Sequence, residues 1–201
     1  MISGSGKTVP EDTGTYPKSA LVTTDTEIES QSMVDYLCSC GHKRIAFITS
    51  RDEGLGRCHL NGYKRALEKN GLEYDEKLII RLKPGKRIYT IENGYNCTCE
   101  LLKSGVDFSC IYAISDTLAV GACRAVIDSG KRVPEDYCVA GADGQDIAEY
   151  YHPSITTLKY PRVEIALQSV RTLFDLINRK KVVKRQILGG TLIERESTRK
   201  L

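Results

Sequence analysis

The stretch from Cys110 to Asp143 constrains the fold more than any other part of the chain. Cys110 to Ile114 is a short apolar run, and Ala119, Ala122, Cys123, Val126 and Ile127 then recur at helical spacing, which predicts a strand followed by a helix. Gly130 ends that helix, Pro134 keeps the connection from becoming helical again, and Tyr137 to Ala142 predicts a second strand. Two strands joined through a helix belong side by side in a parallel sheet. Each exits onto an aspartate, Asp116 after the first and Asp143 after the second. Ligands of open parallel sheets sit beyond the carboxyl ends of the strands, so both aspartates fall where a small molecule would be held.

The same alternation runs along the rest of the chain. Ala20 to Thr24 predicts a strand ending at Asp25, and Ile28, Val34, Leu37 and Cys38 mark a helix that Gly41 ends. Ile45 to Ile48 is a strand covered on both faces. Leu60, Tyr63 and Leu67 repeat at helical spacing until Asn70-Gly71, and Leu78 to Leu82 is another strand. A turn at Pro84-Gly85 leads to a helix marked by Ile91, Tyr95, Cys99 and Leu102. Beyond the central unit come a strand at Ile155 to Leu158 and a long amphipathic helix carrying Val163, Leu167, Val170, Phe174 and Ile177. Strands at Gln186 to Leu188 and Thr191 to Ile193, split by Gly189-Gly190, close the pattern. The fold class is therefore α/β, a parallel sheet with helices on both faces. Met1 to Tyr16 has no periodic apolar pattern and reads as part of a flexible lead-in covering residues 1–19. Its Gly4-Ser-Gly6-Lys7-Thr8 resembles the end of a phosphate-binding loop but lacks the strand that would present it.

Composition excludes several function classes. The 201 residues are 41% hydrophobic, enough to build a core without staples. Eight cysteines raise the question of disulfides; most fall on strands or apolar helix faces, where a free thiol behaves as a small hydrophobe, and no apolar signal segment opens the chain. They are read as reduced, and the expected compartment is cytoplasmic. Cys38-Ser-Cys40 and Cys97-Thr-Cys99 lack a matching ligand pair, so no metal is expected. The net charge of +3 is too small to indicate nucleic acid by itself, and the basic cluster Arg179-Lys180-Lys181 with Lys184 and Arg185 is read as a solvated helix end. No stretch suits a membrane span. His42, His59 and His152 have no motif tying them to a nucleophile, so neither an enzyme nor a cofactor is expected.

A set of local signatures in fixed order resembles the effector-binding region of the LacI/GalR transcriptional regulators. The residues are Gly41-His-Lys-Arg-Ile-Ala-Phe-Ile48, Gly62-Tyr63 with Ala66-Leu67, Ser115-Asp116 with Ala119 and Gly121-Ala122, and Val133-Pro-Glu-Asp136. Gly141-Ala-Asp143, Ile155-Thr-Thr-Leu158 and Leu192-Ile-Glu-Arg-Glu-Ser-Thr198 follow. The resemblance implies a two-lobed, periplasmic-binding-protein-like fold, truncated at its amino end, with ligand held between lobes. It places residues 20–41 and 161–184 in a partial first lobe and residues 42–160 and 185–198 in a complete second lobe. It further implies a sensor of a sugar or related metabolite, a homodimer, and DNA contact only through a helix-turn-helix absent from these residues. A solute-binding module of a sugar transporter is the alternative.

The ligand residues implied are Asp143, Ser115, His59, Arg57 and Tyr160. Asp143 stands where the family places an acidic contact, and a carboxylate accepts bonds from neighbouring hydroxyls. Ser115 replaces the usual asparagine, His59 the usual arginine, and Gly144 a frequent second aspartate. Arg57 lies two residues before His59, and Tyr160 offers a ring that can stack on a sugar face. Asp116 is expected to cap the helix that follows it.

Overall fold

The computed structural model describes residues 19–201 except 52, 84 and 86. The lead-in, its Gly-rich stretch and Pro84 of the turn signal lie outside the described residues. The elements are β1 (Leu21–Thr23), α1 (Thr26–Ser39), β2 (Ile45–Thr49), α2 (Gly54–Lys69), β3 (Ile79–Arg81), α3 (Ile91–Lys103), β4 (Cys110–Ala113), α4 (Asp116–Asp128), β5 (Cys138–Ala140), α5 (Asp146–Tyr150), β6 (Thr157–Lys159), α6 (Arg162–Ile177), β7 (Arg185–Ile187) and β8 (Thr191–Ile193).

Four of these strands form a parallel sheet in the order β3-β2-β4-β5. Every residue of β2 and β4 is buried, as expected of strands covered on both faces. On one face Phe47 stacks between Tyr63 of α2 and Tyr112 of β4, at ring-centre distances of 4.9 and 5.0 Å, and α1 packs beside α2. On the other, α3 packs against α4. Asp25 and Thr90 cap α1 and α3 by accepting bonds from first-turn amides, which satisfies donors that a helix start leaves free.

Outside the sheet, β1 pairs in parallel with β7, and α6 packs on β1. β6 and β8 pair antiparallel, and single bridges tie Ala140 to Thr156 and Asp143 to Lys159. Met33, Val34 and Leu37 bury the apolar face of α1 in the core of the four-stranded unit, and Arg185–Ile187 supplies the backbone partner that β1 needs. Thr157–Ile193 is an antiparallel register that the alternation of strands and helices did not predict. The chain consequently passes three times between the four-stranded unit and the β1/β7/α6 unit: at Thr24, at Tyr160 and at Gly189-Gly190.

The helix α6 sits on the paired strands with its polar side. Ser169 and Thr172 are buried, and Gln186 of β7 bonds Thr172 Oγ1 at 3.0 Å and Gln168 at 2.6 Å. Its apolar stripe faces outward: Val163, Leu167, Val170, Phe174 and Ile177 are each about half exposed or more. A contiguous apolar stripe of this kind marks an interaction surface. The chain alone is expected to self-associate through it, giving a light-scattering mass above 22.4 kDa. Leu167→Glu with Phe174→Glu should return the mass to that of one chain; an unchanged mass would place the contact elsewhere.

Candidate functional site

The strands of the four-stranded sheet deliver their carboxyl ends to one edge, and α1 and α2 begin at that edge because each runs back along the strands it covers. Ser115 follows β4 and is 4% exposed; its Oγ accepts the Leu118 amide at 3.3 Å and lies 3.1 Å from Thr117 Oγ1. Ser115, not Asp116, therefore caps α4. The carboxyl of Asp116 turns inward and is fully buried. Thr157 Oγ1 bonds its Oδ1 at 2.6 Å and the Gln145 amide bonds its Oδ2 at 2.6 Å. Gly141 makes room for it, since a methyl group there would collide with Oδ1. Asp116 thus ties the β5 exit to β6, and burial pushes its pKa up to about 6, with the two bonds pulling the other way.

Asp143 follows β5 with φ +106°, a backbone region that costs a non-glycine residue on the order of 1–3 kcal/mol and collects at functional positions. Surrounding bonds hold it there: its amide donates to Leu158 O at 2.9 Å, and Arg162 donates to its carbonyl at 3.0 Å. Gln145 Nε2 donates to Oδ2 at 2.9 Å. Burial raises its pKa, opposed by the Gln145 bond and the charge of Arg162. Tyr160 lies at the second passage between the units, half-buried, its pKa raised by burial first and then by Tyr112, Glu29, Asp143 and Asp116. Those five side chains share one electrostatic neighbourhood at the carboxyl edge.

The remaining expected residues are placed differently. His59 is buried in α2, its Nδ1 has no hydrogen-bond partner, and burial lowers its pKa to about 4. It is neutral at physiological pH and cannot act as the cation that an arginine would provide. Its carbonyl accepts Ser30 Oγ at 2.8 Å, joining α2 to α1. Arg57 is exposed in the first turns of the same helix.

Several residues at this edge were not legible as site residues. Thr49 ends β2 fully buried with no partner for Oγ1. Tyr89 immediately precedes the α3 cap, is 48% exposed, and its carbonyl accepts Thr117 Oγ1 at 3.2 Å. That bond fixes the Tyr89 backbone beside the start of α4, and its exposed ring is of a kind that can stack on a ligand. Glu29 is buried in α1 and enters the neighbourhood only through tertiary packing. The set is rich in acceptors and suits a ligand bearing several hydroxyl donors. Among the described residues no group of three His, Cys, Asp or Glu could hold a metal ion, and no helix is long and apolar enough to cross a membrane. All eight cysteines are free thiols.

Residues 34–198 match the family described as the periplasmic binding protein-like domain. The chain belongs to that family. Its relatives there are LacI-type regulators. It is 41% identical over 146 residues to the HTH-type transcriptional regulator MalR of Clostridium butyricum, covering 73% of this chain and 42% of that protein. It is 33% identical over 169 residues to the regulator AscG of Escherichia coli K12, covering 84% and 49%. The chain thus spans about half the length of these curated relatives. Among solved structures, a sugar-binding LacI-family regulator from E. coli complexed with phosphate superposes with a TM-score of 0.82 at 31% identity, over 90% of this chain and 64% of that one. The CelR–cellobiose complex does so with 0.79 at 31% identity, over 90% and 54%.

Proposed function

We propose that the chain is the effector-sensing portion of a LacI-type transcriptional regulator, holding a sugar or related metabolite where the three passages meet the carboxyl edge of the sheet. The observation that carries this reading is Asp143, a carboxylate fixed in a strained backbone conformation beyond β5 with one side-chain donor engaged. Its chemistry fits neighbouring ligand hydroxyls, and the likeness to CelR, solved with cellobiose, supports the ligand class. Tyr160 and Tyr89 supply rings, and Ser115 lies at the same edge.

The regulator acts in the cytoplasm without catalysis, as a homodimer, and meets DNA through a helix-turn-helix supplied beyond these residues. Ligand works by favouring one arrangement of the two units over another, which requires unequal affinity for the two. The named relatives are regulators rather than transport components, which disfavours a solute-binding module.

A thermal-shift screen of neutral sugars tests the reading. A ligand present at about a hundred times its Kd adds about 2.7 kcal/mol, which raises Tm by about 5–10 °C for a chain of this size. Asp143→Asn, which tolerates the backbone conformation, should weaken binding at least about tenfold, since a hydrogen bond to a charged group contributes about 1.5–3 kcal/mol. Asp143→Ala should abolish the Tm rise. A ligand whose effect survives both substitutions would show that Asp143 is not its contact.

A further inference from the structure

Glu29 lies in the first turn of α1, is 5% exposed, and neither carboxyl oxygen has a donor in full hydrogen-bond geometry. A buried acid left in this condition is rare, and its place in the fold is specific. All three passages between the units converge on it. The Thr24 hydroxyl on the first passage and the backbone of Gly190 on the third are the donors that favour its ionised form. A methyl group built on Gly190 would stand 3.0 Å from Glu29 Oε1, 3.4 Å from Lys159 O and 3.6 Å from the Tyr160 ring, so the second passage closes the same pocket.

The charges around it do not compensate. Asp25, the cap of its own helix, repels it. Tyr112 of β4 and Tyr160 of the second passage face it, and both tyrosines also feel Asp116 and Asp143. None of these groups is cationic. Lys159 on the same passage turns its carbonyl toward the pocket, and its side chain is exposed. Burial raises the pKa of Glu29 to about 7, with Thr24 and Gly190 lowering it and Asp25 adding to the rise.

We propose that Glu29 is a proton-linked latch on the hinge: ionised, it draws the Thr24 hydroxyl and the Gly190 N–H onto its oxygens and fastens the first and third passages to α1. Protonated, it is the poorer acceptor and leaves those passages free to shift. The proton released on latching goes to solvent. The latched arrangement has the lower pKa, so rising pH favours it, while falling pH through about 7 releases it. The two units then move relative to each other in response to proton activity as well as to ligand, a statement that rests on reading the passages as the hinge of the sensor.

Amide exchange of Gly190, followed by NMR on the ligand-free chain and corrected for the intrinsic rate, tests this. Protection should rise about tenfold between pH 6 and pH 8 with a midpoint near 7. Glu29→Gln should flatten the profile, and Thr24→Val should move the midpoint upward by removing one of the two donors. A flat profile in the unaltered chain, or the same profile in Glu29→Gln, overturns the latch. If Glu29→Gln does not fold, direct titration of the Glu29 carboxyl carbon decides the matter: a midpoint in the ordinary carboxylate range refutes the proposal. A sloped Gly190 profile with no stabilising sugar in the screen would sink the sensing reading and leave the latch standing. A flat profile with an Asp143-dependent ligand would do the reverse.

Discussion

Asp116→Ala is expected to destabilise the fold by about 2–4 kcal/mol at pH 5, and by less at pH 8. At pH 5 the carboxyl is largely protonated, its pKa having been raised to about 6. In that form it can donate to Thr157 Oγ1 through one oxygen and accept the Gln145 amide through the other. Alanine leaves both partners unpaired in a buried place, at about 1–3 kcal/mol each, besides a small void. Ionisation then works against the native state. The folded pKa lies above the unfolded one, so the folded chain holds its proton more tightly and stability falls as pH rises through about 4 to 6. A shift of this size corresponds to roughly 3 kcal/mol, fully present above the folded pKa. Asp116→Asn copies the protonated acid, with Nδ2 toward Thr157 and Oδ1 toward the Gln145 amide. It should be somewhat more stable than the unaltered chain at pH 5, where about half of this loss has already accrued, and more so at pH 8. Urea unfolding at both pH values measures this, and an Asp116→Asn chain less stable than the original at pH 8 would refute it. Glu29 adds a second fall in stability at slightly higher pH, which Asp116→Asn leaves in place.

Gly121→Val should prevent folding, and Gly121→Ala should cost about 3 kcal/mol or more. A methyl group at Gly121 would overlap Ile91 O of α3 and approach Tyr95 N to 2.7 Å, while one at Gly94 would overlap the carbonyl of Leu118. The two helices touch backbone to backbone at these glycines, and neither obstacle is a side chain that could swing away. Relief requires moving one helix, which disturbs the packing of Leu118, Ala122 and Leu101 in the core. Overpacking commonly costs 1–3 kcal/mol where side chains can adjust; here they cannot. Gly189→Ala is the control. It meets nothing within 4 Å and has no left-handed backbone, so its stability should stay within about 0.5 kcal/mol. Equal losses at Gly121 and Gly189 in chemical denaturation would show that the α3–α4 contact is not the cause.

The framework of the fold was legible because its strongest signals are local. Ile45–Thr49 and Cys110–Ala113 are short apolar runs between turn residues, and both are the fully buried central strands. Ala119, Ala122, Cys123 and Val126 form the buried stripe of α4, whereas Ile127, on the edge of that stripe, is 40% exposed. What local pattern could not reveal was pairing across long separations. The antiparallel meeting of β6 with β8 and the return of β7 to β1 depend on where the passages carry the chain. The same blindness affected the site. Asp143 stands at a strand exit, a place that sequence can mark, but its strained backbone is set by Leu158 and Arg162. Asp116 and Ser115 are adjacent, and either residue type can cap a helix; only the position of Thr157 decides that Ser115 does so. Ile28, one of the apolar residues that mark α1, is 57% exposed, while Glu29 beside it is buried.

The pairing of β1 with β7 has a consequence for how the protein is made. Lys184 Nζ reaches back to Ser19 O across 165 positions, and Tyr36 meets Thr198 across 162. During synthesis β1 therefore emerges long before β7, and the contacts that α6 and β7 make with it form only after both have left the ribosome. The four-stranded unit can collapse earlier around β2, β3, β4 and β5. At this corner β1 thus completes its pairing with β7 only near the end of translation of the described residues, a long-range closure that is intrinsically slow.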